Sequence, residues 1–215
     1  MLHRAEDWKL LRRAPKLKLA KEYGRSLTLN DETEKKLLAG AEACQWKRAI
    51  FERFRDVVIL MRDTGMRNER ELYRIRLEHL DWQNKTIFVP DSKSEEGRRT
   101  IPLSHRVFDL LRARCGTRTE GWLFPAKRGR TGHLTTLAER FREARAKAGI
   151  SEKMVLYCGR HDYGTRMMKK TGNLKAVMKV MGHRDVKTAM KYQHPEIDIV
   201  RAALNQGGSA GGANA

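Results

Sequence analysis

Tyr157-Cys158-Gly159-Arg160-His161, Met181-Gly182-His183 and Lys191-Tyr192-Gln193-His194 are the three blocks whose reading decides how this chain folds. From Arg160 to Lys170 the pattern is helical, and Thr171-Gly172 stops it. Asn173 then caps a second helix, whose Leu174, Val177, Met178 and Met181 form one apolar stripe before Gly182 ends it. Asp185 opens a short third helix, Val186 to about Tyr192, closed ahead of Pro195. Folded this way, the blocks carry an arginine, a histidine and a tyrosine to one part of a basic domain. A guanidinium neutralises a phosphate, an imidazole can hold its oxygen, and a phenol can attack it.

Outward from there, the amino-terminal half is read in the same terms. Ser26 to Glu42 reads as a helix with Asn30 at its N-cap, Asp31 and Glu32 in the first turn, and Leu37, Leu38 and Ala41 buried. Trp46 to Asp63 is a second, with Phe54, Val57, Val58 and Met61 along one face. Thr64-Gly65-Met66-Arg67 breaks it at glycine, and Asn68 with Glu71 reads as a capping pair for a helix running to about Arg76. Arg67 therefore stands at a tight corner from which a side chain can enter a cleft.

From Glu78 the period changes from helical to alternating. Leu80–Trp82, Thr86–Val89 and Arg99–Leu103 are short strand-like runs, separated by Gln83-Asn84-Lys85 and by the polar loop 91–97 that carries Lys93. They predict a three-stranded antiparallel meander, and Pro102 places the last strand at an edge. Helices return at His105–Arg114 and at about Leu134–Ala148, with the basic loop Lys127-Arg128-Gly129-Arg130 between them. The expected fold class is α+β, mainly helical, with a small sheet.

The composition narrows the partner. With 215 residues the chain can bury one good core and a short extra segment. Its net charge of +19 and pI near 10.2 exceed what solubility needs and point to a polyanion. Nucleic acid is favoured over a membrane surface, because no apolar run approaches the roughly 20 residues that span a bilayer. Composition alone leaves DNA and RNA equally open. Cys44, Cys115 and Cys158 form no CxxC pair, which fits a reducing cytoplasm and gives no zinc site, and the histidines lack metal spacing. Residues 1–25 read as a basic linker or the remnant of an upstream domain, 26–205 as the main domain, and 206–215 as a flexible tail.

Taken together, the Thr64–Arg67 corner, a lysine in a β-loop before Arg98-Arg99-Thr100-Ile101-Pro102-Leu103, the Arg160-His161 block, Met181-Gly182-His183 and a following tyrosine resemble the catalytic domain of tyrosine recombinases, the phage-integrase family. The resemblance covers about residues 26–200. It implies that Arg67 and Arg160 grip a scissile phosphate, with His183 adding a donor. It implies further that Tyr192 is the nucleophile of a 3′-phosphotyrosyl intermediate and that Lys93 protonates the leaving 5′-oxygen. Neither metal nor cofactor is implied. The activity would be site-specific recombination of double-stranded DNA, by a chain that is monomeric alone and tetrameric on paired sites. A type IB topoisomerase and a non-catalytic DNA-binding module derived from an integrase are the alternatives.

Two departures from the family pattern stand out. Tyr157 occupies the place where the family usually has histidine, and a phenol with a pKa near 10 is a poor base at neutral pH. Arg70, flanked by Glu69 and Glu71, stands where a glutamate normally supports the first arginine, and a one-residue insertion accounts for this most simply.

Overall fold

The structure is a computed structural model and describes residues 8–9, 27–90, 97–126, 130–183, 186–190 and 192. Lys93, the Asp185 cap, residues 127–129, the expected amphipathic piece Ile197–Leu204, the tail and nearly all of the segment 1–25 lie outside the described residues.

Helix α1 (Asp31–Ala43) begins at Asn30, whose side chain accepts the Thr33 amide at 2.9 Å. Helix α2 (Arg48–Thr64) runs through the middle of the core and contributes Phe54, Val57, Val58, Leu60 and Met61, all fully buried. It stops at Gly65, which takes the left-handed conformation (φ 64°) and caps Met61. A Cβ at that position would also lie 2.5 Å from the Tyr163 ring, so two constraints favour glycine there.

The expected helix after Asn68 does not form. Residues 68–79 make only two single 3-10 turns, Leu72–Arg74 and Leu77–His79. Instead of serving as a capping residue for a helix, Glu71 turns its carboxylate inward to two arginines, and the chain coils around that ion cluster.

Strands β1 (Leu80–Asp81), β2 (Thr86–Val89) and β3 (Arg99–Pro102) form the antiparallel meander in the order β1-β2-β3, so Pro102 does lie on an edge strand. Ile87 pairs with Ile101 and Val89 with Arg99, and all four face inward. Phe88 and Thr100 face out.

Helix α3 (His105–Cys115) is capped by Ser104 and packs on α2. Helix α4 (Ala138–Lys147) starts later than the sequence pattern suggests. The Leu134 amide is taken by Phe124 O at 2.9 Å, which keeps that residue out of the helix. Helix α4 lies against α1 so closely that a Cβ on Gly40 would stand 2.4 Å from Ala144 O. Helix α5 (Cys158–Thr171) packs on α2, with Gly159 beside Met61. Helix α6 (Leu174–Met181), capped by Asn173 and ended by left-handed Gly182, leads to α7 (Val186–Met190). The main core joins α1–α4, the sheet and the start of α5. A satellite cluster of Tyr163, Val177, Met181 and Tyr192 lies between α5, α6 and the residue beyond α7.

Candidate active site

Three arginines from distant parts of the chain converge on the last turn of α6. Arg99 donates from Nε to Val180 O, Arg160 from Nη2 to Met181 O at 2.6 Å, and Arg67 from Nη2 to Gly182 O at 3.2 Å. Carbonyls at a helix C-terminus lack partners within the helix and carry partial negative charge, so cations are favoured there. Here three successive carbonyls are each met by a different guanidinium.

Arg160 is fully buried. Its other contacts are Gly65 O and the His183 ring, where Nη2 lies 2.8 Å from Nε2. A guanidinium can only donate, so His183 Nε2 is the acceptor and its ring proton sits on Nδ1. The nearest carboxylate, Glu71, is 3.9 Å away. Burial pushes the Arg160 pKa down to about 10, and the charge of Arg67 adds to that.

Arg67 is partly exposed and is held by Glu71, which accepts its guanidinium and also its backbone amide at 2.8 Å. Glu71 therefore supplies the support that the shifted spacing after Arg67 put in question. Its second role was not anticipated: Oε2 also receives Arg99 Nη2 at 2.9 Å. Burial opposes ionisation of Glu71, but hydrogen bonds from Arg99 and the Arg67 amide outweigh it and hold the carboxyl below its ordinary value.

The Tyr192 ring is 3 % exposed and lies parallel to His183, with centroids 5.9 Å apart and planes 8° apart. Its seat is Gly164 on α5, where a Cβ would stand 2.7 Å from the phenol ring. Burial raises the Tyr192 pKa to about 12, against the lowering pull of Arg160 and Arg67. Tyr157, half-buried at the start of α5, meets a second histidine there: its ring is 5.2 Å from His161, which is 6.2 Å from Tyr192. A cleft of about 380 Å³ opens beside Tyr157, with Asn68, Glu69, Phe141 and Arg142 among its walls.

The structure thus brings Arg67, Arg160, His183 and Tyr192 into one cluster with Tyr157 at its margin, while Lys93 lies outside the described residues. Sequence reasoning missed Glu71 as a hub and gave Arg99 no role beyond its place in the strand and motif. A signal for Arg99 existed: with Ile101 facing the core, strand alternation turns Arg99 inward too, and a buried arginine needs acceptors. Among the described residues no group of His, Cys, Asp and Glu is arranged to hold a metal ion, and no helix is long and apolar enough to cross a membrane.

The chain is similar to several known proteins in sequence and in fold. Tyrosine recombinase XerA of Saccharolobus solfataricus is 28% identical over 145 residues, covering 67% of this chain and 47% of the relative. Tyrosine recombinase XerC of Escherichia coli strain K12 is 27% identical over 147 residues, covering 66% and 48%. The chain thus spans about half the length of these relatives. Among solved structures, the Tn1549 transposon integrase with circular intermediate DNA superposes with a TM-score of 0.73 at 19% identity, over 95% of this chain and 74% of that one. The XerH recombinase bound to its difH substrate gives 0.64 at 22% identity, over 89% and 56%. Such likenesses establish the shared fold, that of tyrosine recombinase catalytic domains. With the three blocks in order, and a match to the phage integrase family over residues 28–197, the chain belongs to that family.

Proposed function

We propose that this chain breaks and rejoins double-stranded DNA at specific sites, as a tyrosine-type recombinase working through a 3′-phosphotyrosyl intermediate. The observation that carries the reading is a cluster of three guanidiniums with a single carboxylate among the described residues, set against an imidazole that lies flat on a tyrosine. Such an excess of positive charge, two of its three guanidiniums buried, favours an anion, and a phosphodiester in its transition state carries more negative charge than in its ground state.

In this mechanism the scissile phosphate takes over donors of Arg67 and Arg160 that now reach carbonyls of the α6 end. His183 and Tyr157 hold further phosphate oxygens. The Tyr192 oxygen passes its proton to water as it bonds to phosphorus, the bond to the 5′-oxygen breaks, and Lys93 gives its own proton to that oxygen. Reversal by another 5′-hydroxyl rejoins the strand. The phenol is buried against Gly164, and in this mechanism it turns towards the scissile phosphate as DNA docks. No step calls for a metal or nucleotide cofactor.

The +19 charge supports binding to the DNA backbone, with affinity that falls steeply as salt rises. The chain acts on DNA in the cytoplasm; it is a monomer without DNA and a tetramer on paired DNA sites. The test is a duplex nicked beside the scissile phosphate, so that the released fragment diffuses away. A covalent protein–DNA complex should accumulate with the wild type and be absent with Tyr192→Phe. Equal trapping with both proteins, or none at any concentration, would remove the nucleophile from position 192.

A further inference from the structure

We propose that Arg99 is a positioning residue of this site: from the edge strand it locks the His183-bearing end of α6 to Glu71. This rests on the strand-transfer reading above and adds to it a residue that makes no contact with phosphate. Arg99 is 6 % exposed and uses most of its donors at once. Nε reaches Val180 O, Nη1 reaches Gly97 O at 2.9 Å and Glu71 Oε1 at 3.2 Å, and Nη2 reaches Glu71 Oε2 at 2.9 Å. It also lies under the turn before His183, where a Cβ on Gly182 would stand 2.9 Å from its Nη1.

The consequence follows from sharing. Glu71 is the common acceptor of Arg67 and Arg99, while the successive carbonyls of Val180, Met181 and Gly182 accept Arg99, Arg160 and Arg67 in turn. Without Arg99, Glu71 keeps only the hydrogen bonds of Arg67 and the more distant charge of Arg160, and the α6 end loses one of its three ties. Both changes shift Arg67 and His183 relative to Arg160, and a misplacement of about 1 Å can slow a reaction roughly 100-fold. Lysine cannot substitute, because one ammonium lacks the fork that meets three acceptors on separate elements. DNA affinity should change little, since Arg99 is buried and touches no backbone phosphate in this scheme.

The experiment compares wild type, Arg99→Ala, Arg99→Lys and the exposed neighbour Arg98→Ala on the nicked duplex. It measures DNA affinity, the rate of covalent-complex formation at saturating DNA, and the ¹⁵N signals of the His183 ring. Arg99→Ala should slow the saturated rate about 100-fold and Arg99→Lys at least about 10-fold. Affinity should stay within about threefold of wild type, and the His183 signals should shift as the ring moves relative to Arg160, the donor to its Nε2. Arg98→Ala should keep the saturated rate. A rate within about twofold of wild type in a folded Arg99 variant, with unchanged His183 signals, overturns the proposal, as does a loss confined to affinity. If Arg99→Ala does not fold, Arg99→Lys decides. If wild type forms no Tyr192-dependent complex, the strand-transfer reading fails by itself. Arg99 is then judged on the His183 signals alone, altered in support or unaltered against.

Discussion

Two clusters of arginines flank the α2–α5 contact, and they are built on opposite principles. Behind α5, Arg62, Arg106 and Arg166 meet four carboxylates, Asp31, Glu34, Asp63 and Asp162. On the other side, Arg67, Arg99 and Arg160 share Glu71. Arg62 and Arg160 are both almost completely buried, 3 % and 0 % exposed. Burial disfavours the charge of each, yet hydrogen bonds to Glu34 and Asp31 raise the Arg62 pKa, whereas that of Arg160 falls to about 10. The same residue type is structural where its charge is matched and poised for a ligand where it is not.

That contrast can be broken by substitution. Arg62→Ala strands Glu34 and Asp162 as buried, partly unpaired carboxylates, and should cost about 3–5 kcal/mol of stability in denaturant unfolding. Arg160→Ala leaves mainly neutral carbonyls behind, so its loss should be less than half as large. In the nicked-duplex assay it should nevertheless slow covalent-complex formation by about 10²–10³, or roughly 3–4 kcal/mol, with little change in DNA affinity. If Arg160→Ala proved the more destabilising of the two, or lost binding and cleavage in proportion, the division between a structural and a catalytic cluster would be wrong.

The smallest effect sharpens the comparison through pH. Glu34 and Glu71 are both buried, which raises their pKa values, and both are brought below the ordinary 4.5 by hydrogen bonds from arginines. A carboxyl with a depressed folded pKa contributes stability that is complete above its unfolded value and is lost as pH falls through the folded one. Stability should therefore decline progressively below about pH 4.5. Glu34→Gln should flatten that decline in a thermal-unfolding series from pH 6 to 3, and an unaltered slope would show that Glu34 is not held ionised by its arginines.

Much of the fold was legible because it is governed by short-range chemistry. Gly65, Gly172 and Gly182 end helices in the left-handed conformation, and Asn30 and Asn173 cap them with side-chain hydrogen bonds. The strand alternation around Ile87 and Ile101 likewise gave the sheet and its edge. The reading failed where a local signal met a stronger distant one. Asn68 and Glu71 look like a helix start, but Glu71 is drawn to Arg99 on a strand 28 positions away. Leu134 fits the apolar pattern of the following helix, yet its amide is held by Phe124.

The sequence by itself determined most of the elements, the caps at Asn30 and Asn173, the stops at Gly65, Gly172 and Gly182, and the order in which Arg67, Arg160, His183 and Tyr192 occur, since caps and stops depend on residues within about a turn of each other. Only the tertiary structure decided which arginines are neutralised and which are left in excess, and that Tyr192 rests on Gly164 beneath His183. Charge pairing and burial depend on contacts such as that of Arg67 with Gly182, 115 positions apart, and no local pattern encodes them.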